Sequence, residues 1–181
     1  PALLVSLEAA RSIYWDLGKL NMVQRLLELE LKAGAAGALA GKALLELGDV
    51  QTDAGDYDKA LATYGKAAAA GSDEAKECLV DLQTTSDSWQ ERVAALLRAA
   101  GGTDDPATRA RHYLRAARIT KRFAPEEAEQ QLAKAYATDP KDRQAALLYE
   151  GLLADKTRLE ELEATQTEVL TGIDDSARRA S

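Results

Sequence analysis

The chain has 181 residues and a formal net charge of −7, a balance that disfavours nucleic acid and an anionic membrane as partners of the whole surface. Hydrophobic residues make up 46% of it, much of that alanine, while aromatics are only 5%; close-packed alanine-rich helices fit this balance better than a deep core of large side chains. One cysteine, Cys78, excludes a disulfide framework and a multi-cysteine metal site, and no window approaches the ~20 apolar residues of a membrane span.

In chain order, the opening PALLVSLEAARS is apolar without a basic leader, so no signal peptide is read there. Helical hairpins are then expected over 7–40, 41–74, 75–108, 109–142 and 143–176. Their length comes from a 34-residue step that links Ala60, Ala94 and Ala128, links Ala33, Ala67 and Ala135 with Gly101 between them, and links Pro106 to Pro140. Turn chemistry marks helix starts within this frame. Ser88-Trp-Gln-Glu91 has capping-box spacing and is expected to open the second helix of the third unit, which Gly101-Gly102 stops. Asp105 before Pro106 is an N-cap followed by proline at the first helical position, and Asp139-Pro140 repeats the signal. Pro125 with Glu126 and Glu127 opens the second helix of the fourth unit, and Thr157-Arg-Leu-Glu160 that of the fifth. Nothing alternates with period two, so ten helices and no strand are expected. At the end of the chain, Asp174-Asp175-Ser176-Ala177-Arg178-Arg179 echoes the run from Asp104 to Arg109 and reads as the start of a further helix in a longer array.

The most informative stretch is LLELGDVQTDAGDYDKALATYGKA, Leu44 to Ala67. Gly48, the turn Gly55-Asp56-Tyr57, and then Ala60, Tyr64 and Ala67 give it a close resemblance to the tetratricopeptide repeat. The specific residues concentrate in the second and fourth units. At the small position of the first helix, the first, third and fifth units carry Tyr14, Leu82 and Glu150. The resemblance implies an all-α fold, a right-handed superhelical solenoid of about five antiparallel helix-turn-helix repeats, forming a single array over 1–181. It also implies that Gly48 and Ala60 face each other where two helices cross closely, with Ala128 in the same role in unit four. A glycine inside a helix costs ~1 kcal/mol relative to alanine, which close packing must offset.

In such arrays the first helix of each unit lines a concave groove. Carried over position by position, the groove residues are Arg11 and Trp15; Lys42, Glu46, Asp49 and Asp53; Lys76, Leu79 and Gln83; Tyr113, Leu114, Ala117 and Lys121; and Gln144, Leu147 and Leu148. The groove reads acidic toward the N-terminal half and apolar toward the C-terminal half. It lacks the Lys/Asn/Arg set with which some family members clamp a partner's terminal carboxylate. Exposed tryptophan and tyrosine there would anchor a peptide or helix.

No catalytic constellation is visible. His112 has no second histidine or cysteine beside it, and no phosphate loop, nucleophile elbow or dinucleotide fingerprint occurs. The chain is therefore not expected to be an enzyme or to carry a cofactor or metal. Arg111, Arg115, Arg118 and Arg122 share one helix face and read either as an anion patch or as a solvated face paired with acidic neighbours such as Glu77 and Asp81. The leading expectation is a scaffold that binds a protein or peptide, one with basic residues where it meets the acidic groove. The alternatives are a regulatory or targeting segment of a larger enzyme, and self-association into a homodimer through uncapped terminal repeats. Nucleic acid is not expected as a partner. The cytoplasm is the expected compartment, and the Ala- and Arg-rich composition suits a GC-rich bacterium.

Overall fold

The structure, a computed structural model, describes residues 2–155 and 164–167, among which every regular element is helical. The chain divides into two compact units, 1–83 and 84–181. The division falls inside the third 34-residue repeat, between its two helices.

In the first unit, α1 (Ala2–Asp16), α2 (Leu20–Lys32), α3 (Gly37–Asp53), α4 (Tyr57–Ala69) and α5 (Asp73–Leu82) follow one another, each packed on the next. The turns share one chemistry. Gly18, Gly34, Gly55 and Gly71 stand just past the ends of α1 to α4 with φ of 64°, 93°, 81° and 97°. Only glycine enters this left-handed region without strain. The residue after each glycine donates its N–H to a carbonyl five residues back: Lys19 to Tyr14, Ala35 to Glu30, Asp56 to Gln51 and Ser72 to Ala67. This is the Schellman stop, which satisfies the orphan carbonyls of a helix end while reversing the chain. Gly18 and Gly55 are 37 residues apart, as are Gly34 and Gly71.

In the second unit, α6 (Trp89–Gly101), α7 (Pro106–Phe123), a 3-10 turn at Pro125–Glu127, α8 (Ala128–Thr138) and α9 (Arg143–Asp155) again pack in sequence. Proline and aspartate punctuate it. Ala124 leaves the helical region before Pro125, with φ −145° and ψ 73°, as the proline ring favours, and α7 ends there. The Asp105 carboxylate caps α7 by accepting the Thr108 N–H at 2.8 Å, with Pro106 at the first helical position as expected. Two expected starts differ. Asp139-Pro140 does not open α9. Asp139 instead accepts the Lys141 N–H at 3.1 Å within a turn, and Asp142 caps the helix by accepting from Gln144 (2.9 Å) and Ala145 (3.1 Å). Ser88 does precede α6, yet its hydroxyl turns back to accept the Thr85 N–H at 3.0 Å rather than capping forward. Thr157–Glu160 and Asp174–Arg179 lie outside the described residues.

The repeat length also differs from a constant 34. The buried sides of the second helices align as Val23, Leu26, Leu27 and Glu30 in α2; Ala60, Thr63, Tyr64 and Ala67 in α4; Val93, Leu96 and Ala100 in α6; and Ala128, Leu132 and Ala135 in α8. Successive steps from Val23 to Ala60, Val93 and Ala128 are therefore 37, 33 and 35. Of the residues the constant step links, Ala60, Ala67, Ala128 and Ala135 are buried, while Ala33, Ala94 and Gly101 are exposed. The step of 34 survives as its double between α4 and α8. Helix faces follow where each glycine, proline or aspartate cuts the chain, so a ruler taken from one hairpin drifts in the others.

Candidate functional site

The second hairpin shows what its signature residues do. A Cβ built on Gly48 would stand 2.5 Å from two carbons of the Tyr64 ring. The ring therefore packs directly against bare α3 backbone, and Tyr64 rather than Ala60 is what Gly48 makes room for. Ala60 is buried in the neighbouring cluster with Tyr64, Ala67, Ala75, Cys78 and Leu82. The tyrosine hydroxyl donates to the Asp49 carboxylate at 2.6 Å and stands 3.3 Å from the Thr52 hydroxyl, which itself donates to the Gly48 carbonyl at 2.8 Å. A buried phenol thus has its polar tip satisfied by the helix it leans on.

A second polar centre joins the first three helices. Arg11 of α1 donates through Nε to Glu30 of α2 at 2.8 Å and through Nη1 to both carboxylate oxygens of Glu46 of α3 at 2.6 Å. The Trp15 indole N–H also donates to Glu46. Glu8 is 4.0 Å from Arg11 at the rim. Burial disfavours the arginine's charge, but the hydrogen bond to Glu30 and the fields of Glu46 and Glu30 outweigh it, and the guanidinium pKa is raised. The cluster holds two carboxylates for one close cation. In the aligned register Glu30 takes the place that Ala67 has in α4, a carboxylate within an apolar stripe.

In the second unit, Tyr113 packs with Leu148, Tyr149 and Leu152 against a core of Leu114, Ala117, Leu132, Ala135 and Ala145. The Lys134 ammonium stands 6.0 Å over the Tyr113 ring. The arginines of α7 lie beside a neutral acceptor: Arg111 and Arg118 both donate to the Gln144 side-chain oxygen, at 2.8 and 3.1 Å. Arg115 is buried, and Arg122 is exposed with its guanidinium 5.0 Å over the Phe123 ring. Phe123 in turn stacks on Trp89 at 5.8 Å.

The structure brings Arg11, Trp15 and Glu46 together in one contact, and Tyr113 together with Leu148. Arg11, Trp15, Asp49 and Leu114 are buried, each held by neighbours of its own unit. Glu46, Asp53, Tyr113, Leu147 and Leu148 are half-buried, and Lys42 and Lys121 are exposed. Sequence reasoning missed Glu30; the signal for it is a lone carboxylate at the i+7 position of the Val23, Leu26, Leu27 stripe.

No family model, curated protein or solved structure matches the chain. Among the described residues no helix is long and apolar enough to cross a membrane, and no three histidine, cysteine, aspartate or glutamate side chains are grouped as metal ligands.

Proposed function

We propose that the chain is a tetratricopeptide-like helical array that acts as a scaffold for a protein or peptide partner. The observation that carries this reading is the second hairpin. Gly48, Tyr64, Ala60 and Ala67 are the residues behind the family resemblance, and all four lie in the packing between α3, α4 and α5. The hairpin they build recurs along each unit, as a stacked array requires. A solenoid with a groove lined by the first helix of each hairpin is the natural continuation of that pattern.

On this reading the first unit offers the partner an acidic stretch, Glu46 and Asp53 with Lys42 beside them. The second offers Tyr113, Leu147 and Leu148 as apolar anchors with Lys121 at the edge. A partner segment with Lys or Arg and a large apolar side chain suits the two surfaces. Affinity from the acidic stretch would weaken with salt, since exposed charges are screened beyond ~8–10 Å near physiological ionic strength.

The test is co-purification from the native host, identification of the partner by mass spectrometry, and titration of the purified pair. Asp53→Lys is expected to weaken binding, and Lys66→Glu on α4 to leave it unchanged. An unchanged affinity for Asp53→Lys together with a loss for Lys66→Glu would place the partner on the second helices instead.

A further inference from the structure

A surface helix normally buries its apolar stripe and shows its charged side to water. Helix α1 departs from this. Its buried residues are Arg11 and Trp15, while Leu3, Val5 and Ile13 remain 62%, 66% and 49% exposed. Apart from Glu8, the exposed residues along α1 are uncharged. Its inward hold on the rest of the unit includes one guanidinium gripped by carboxylates from two other helices.

We propose that Glu30 of α2 and Glu46 of α3 form a receptor for an arginine side chain, which α1 fills from within the chain and an arginine-bearing amphipathic helix fills in its place. The acceptors are arranged for arginine rather than lysine. Glu30 takes Nε and Glu46 takes Nη1, two different nitrogens of one planar fork, from two separate helices. The Glu30 side chain is 3% exposed and the Glu46 side chain 16%, so the site is enclosed by the fold and not a surface pairing. Loss of the resident guanidinium would leave Glu30 without its cation and Glu46 with only the Trp15 indole N–H, which is costly; an incoming arginine restores the guanidinium bonds. Only Leu17, Gly18 and Lys19 join α1 to α2, which holds Arg11 at high effective concentration, so a competing helix must add contacts of its own beyond the arginine. Displacement by a partner rests on the scaffold reading above, whereas the receptor itself does not.

Chemical rescue tests the receptor. In the full chain, Arg11→Ala is expected to lower the melting midpoint. Millimolar ethylguanidinium should raise it again saturably, ethylammonium at equal ionic strength should not, and the gain should vanish in Arg11→Ala/Glu46→Gln. Equal effects of the two cations, or none, would overturn the receptor. Should Arg11→Ala fail to fold, the wild-type chain carries the test by hydrogen exchange over 2–16. The probe is a synthetic amphipathic helix with one arginine, compared with its citrulline counterpart. Faster exchange in α1 with the arginine peptide alone supports displacement. Binding of both peptides with α1 unchanged refutes displacement while leaving the scaffold reading intact. Rescue by ethylguanidinium without binding of either peptide supports the receptor and counts against the basic partner segment.

Discussion

The two units make the same hairpin pattern with different punctuation. In 1–83 four successive helices stop at a glycine with positive φ, and the chain reverses by the same backbone hydrogen bonds each time. In the described part of 84–181 the stops precede prolines, and the starts of α7 and α9 are capped by Asp105 and Asp142. Their buried charges differ as well. The first unit buries Arg11 between two glutamates, while in the second Arg111 and Arg118, both half-buried, share the Gln144 side-chain oxygen. Helical-hairpin packing thus fixes which faces are apolar, but it leaves the means of turning and of satisfying polar groups free to vary. One unit turns on glycines in a conformation other residues adopt only with strain, and the other on side-chain caps.

Several substitutions would break or sharpen that contrast. The largest effect is expected from Arg11→Ala, about 3 kcal/mol of unfolding free energy, because it leaves enclosed carboxylates without their cation. Arg118→Ala, at a half-buried arginine whose Gln144 acceptor keeps Arg111, is expected to cost within about 1 kcal/mol. Equal losses in denaturant titrations would show that the buried-charge contrast is false.

Gly48→Ala comes next, at about 1–3 kcal/mol, since its methyl would overlap the Tyr64 ring and the helices must separate. Gly65→Ala in α4 is its control. A Cβ there meets nothing within 4 Å, so the better helix propensity of alanine is expected to raise stability by up to about 1 kcal/mol. Thermal melts of the pair that move in the same direction would contradict the close crossing.

The turn contrast is tested at Gly55 and Gly102. Gly55→Ala forces a side chain into the left-handed region and is expected to cost about 1 kcal/mol. Gly102 stops α6 at φ −93°, which alanine adopts freely, so Gly102→Ala should leave the midpoint unchanged.

The α7 cap adds a test by pH. The hydroxyl and the N–H of Thr108 hold the Asp105 carboxyl below its usual range. A carboxyl depressed in the folded state stabilises above its unfolded pKa of ~3.9, and that contribution is lost as pH falls through the folded value. Asp105→Ala should therefore melt below wild type at pH 7, with the gap closing in strong acid. A gap that persists at low pH would mean the cap does not act through its charge.

The helical class and the hairpin order were legible because apolar periodicity and turn residues are local. Asp105-Pro106 shows this best: both residues do in the structure what their types demand. The register was less legible. Ala94 falls on the expected step and yet is exposed, because α5 is short, the step from α4 to α6 is 33, and Val93 takes the buried place instead. The polar centres were least legible. That Tyr64 rather than Ala60 covers Gly48, and that Glu30 completes the grip on Arg11, depends on which side chains meet across helices distant in sequence. Spacing within one helix carries no record of that.

On the scaffold reading, the first helices of the hairpins meet the partner. A photo-crosslinking residue placed in turn at Lys42 on α3, Tyr113 on α7 and Lys66 on α4, in complex with the purified partner, separates the two faces. Crosslinks are expected from positions 42 and 113 and none from 66; crosslinks from 66 alone would put the partner on the second helices.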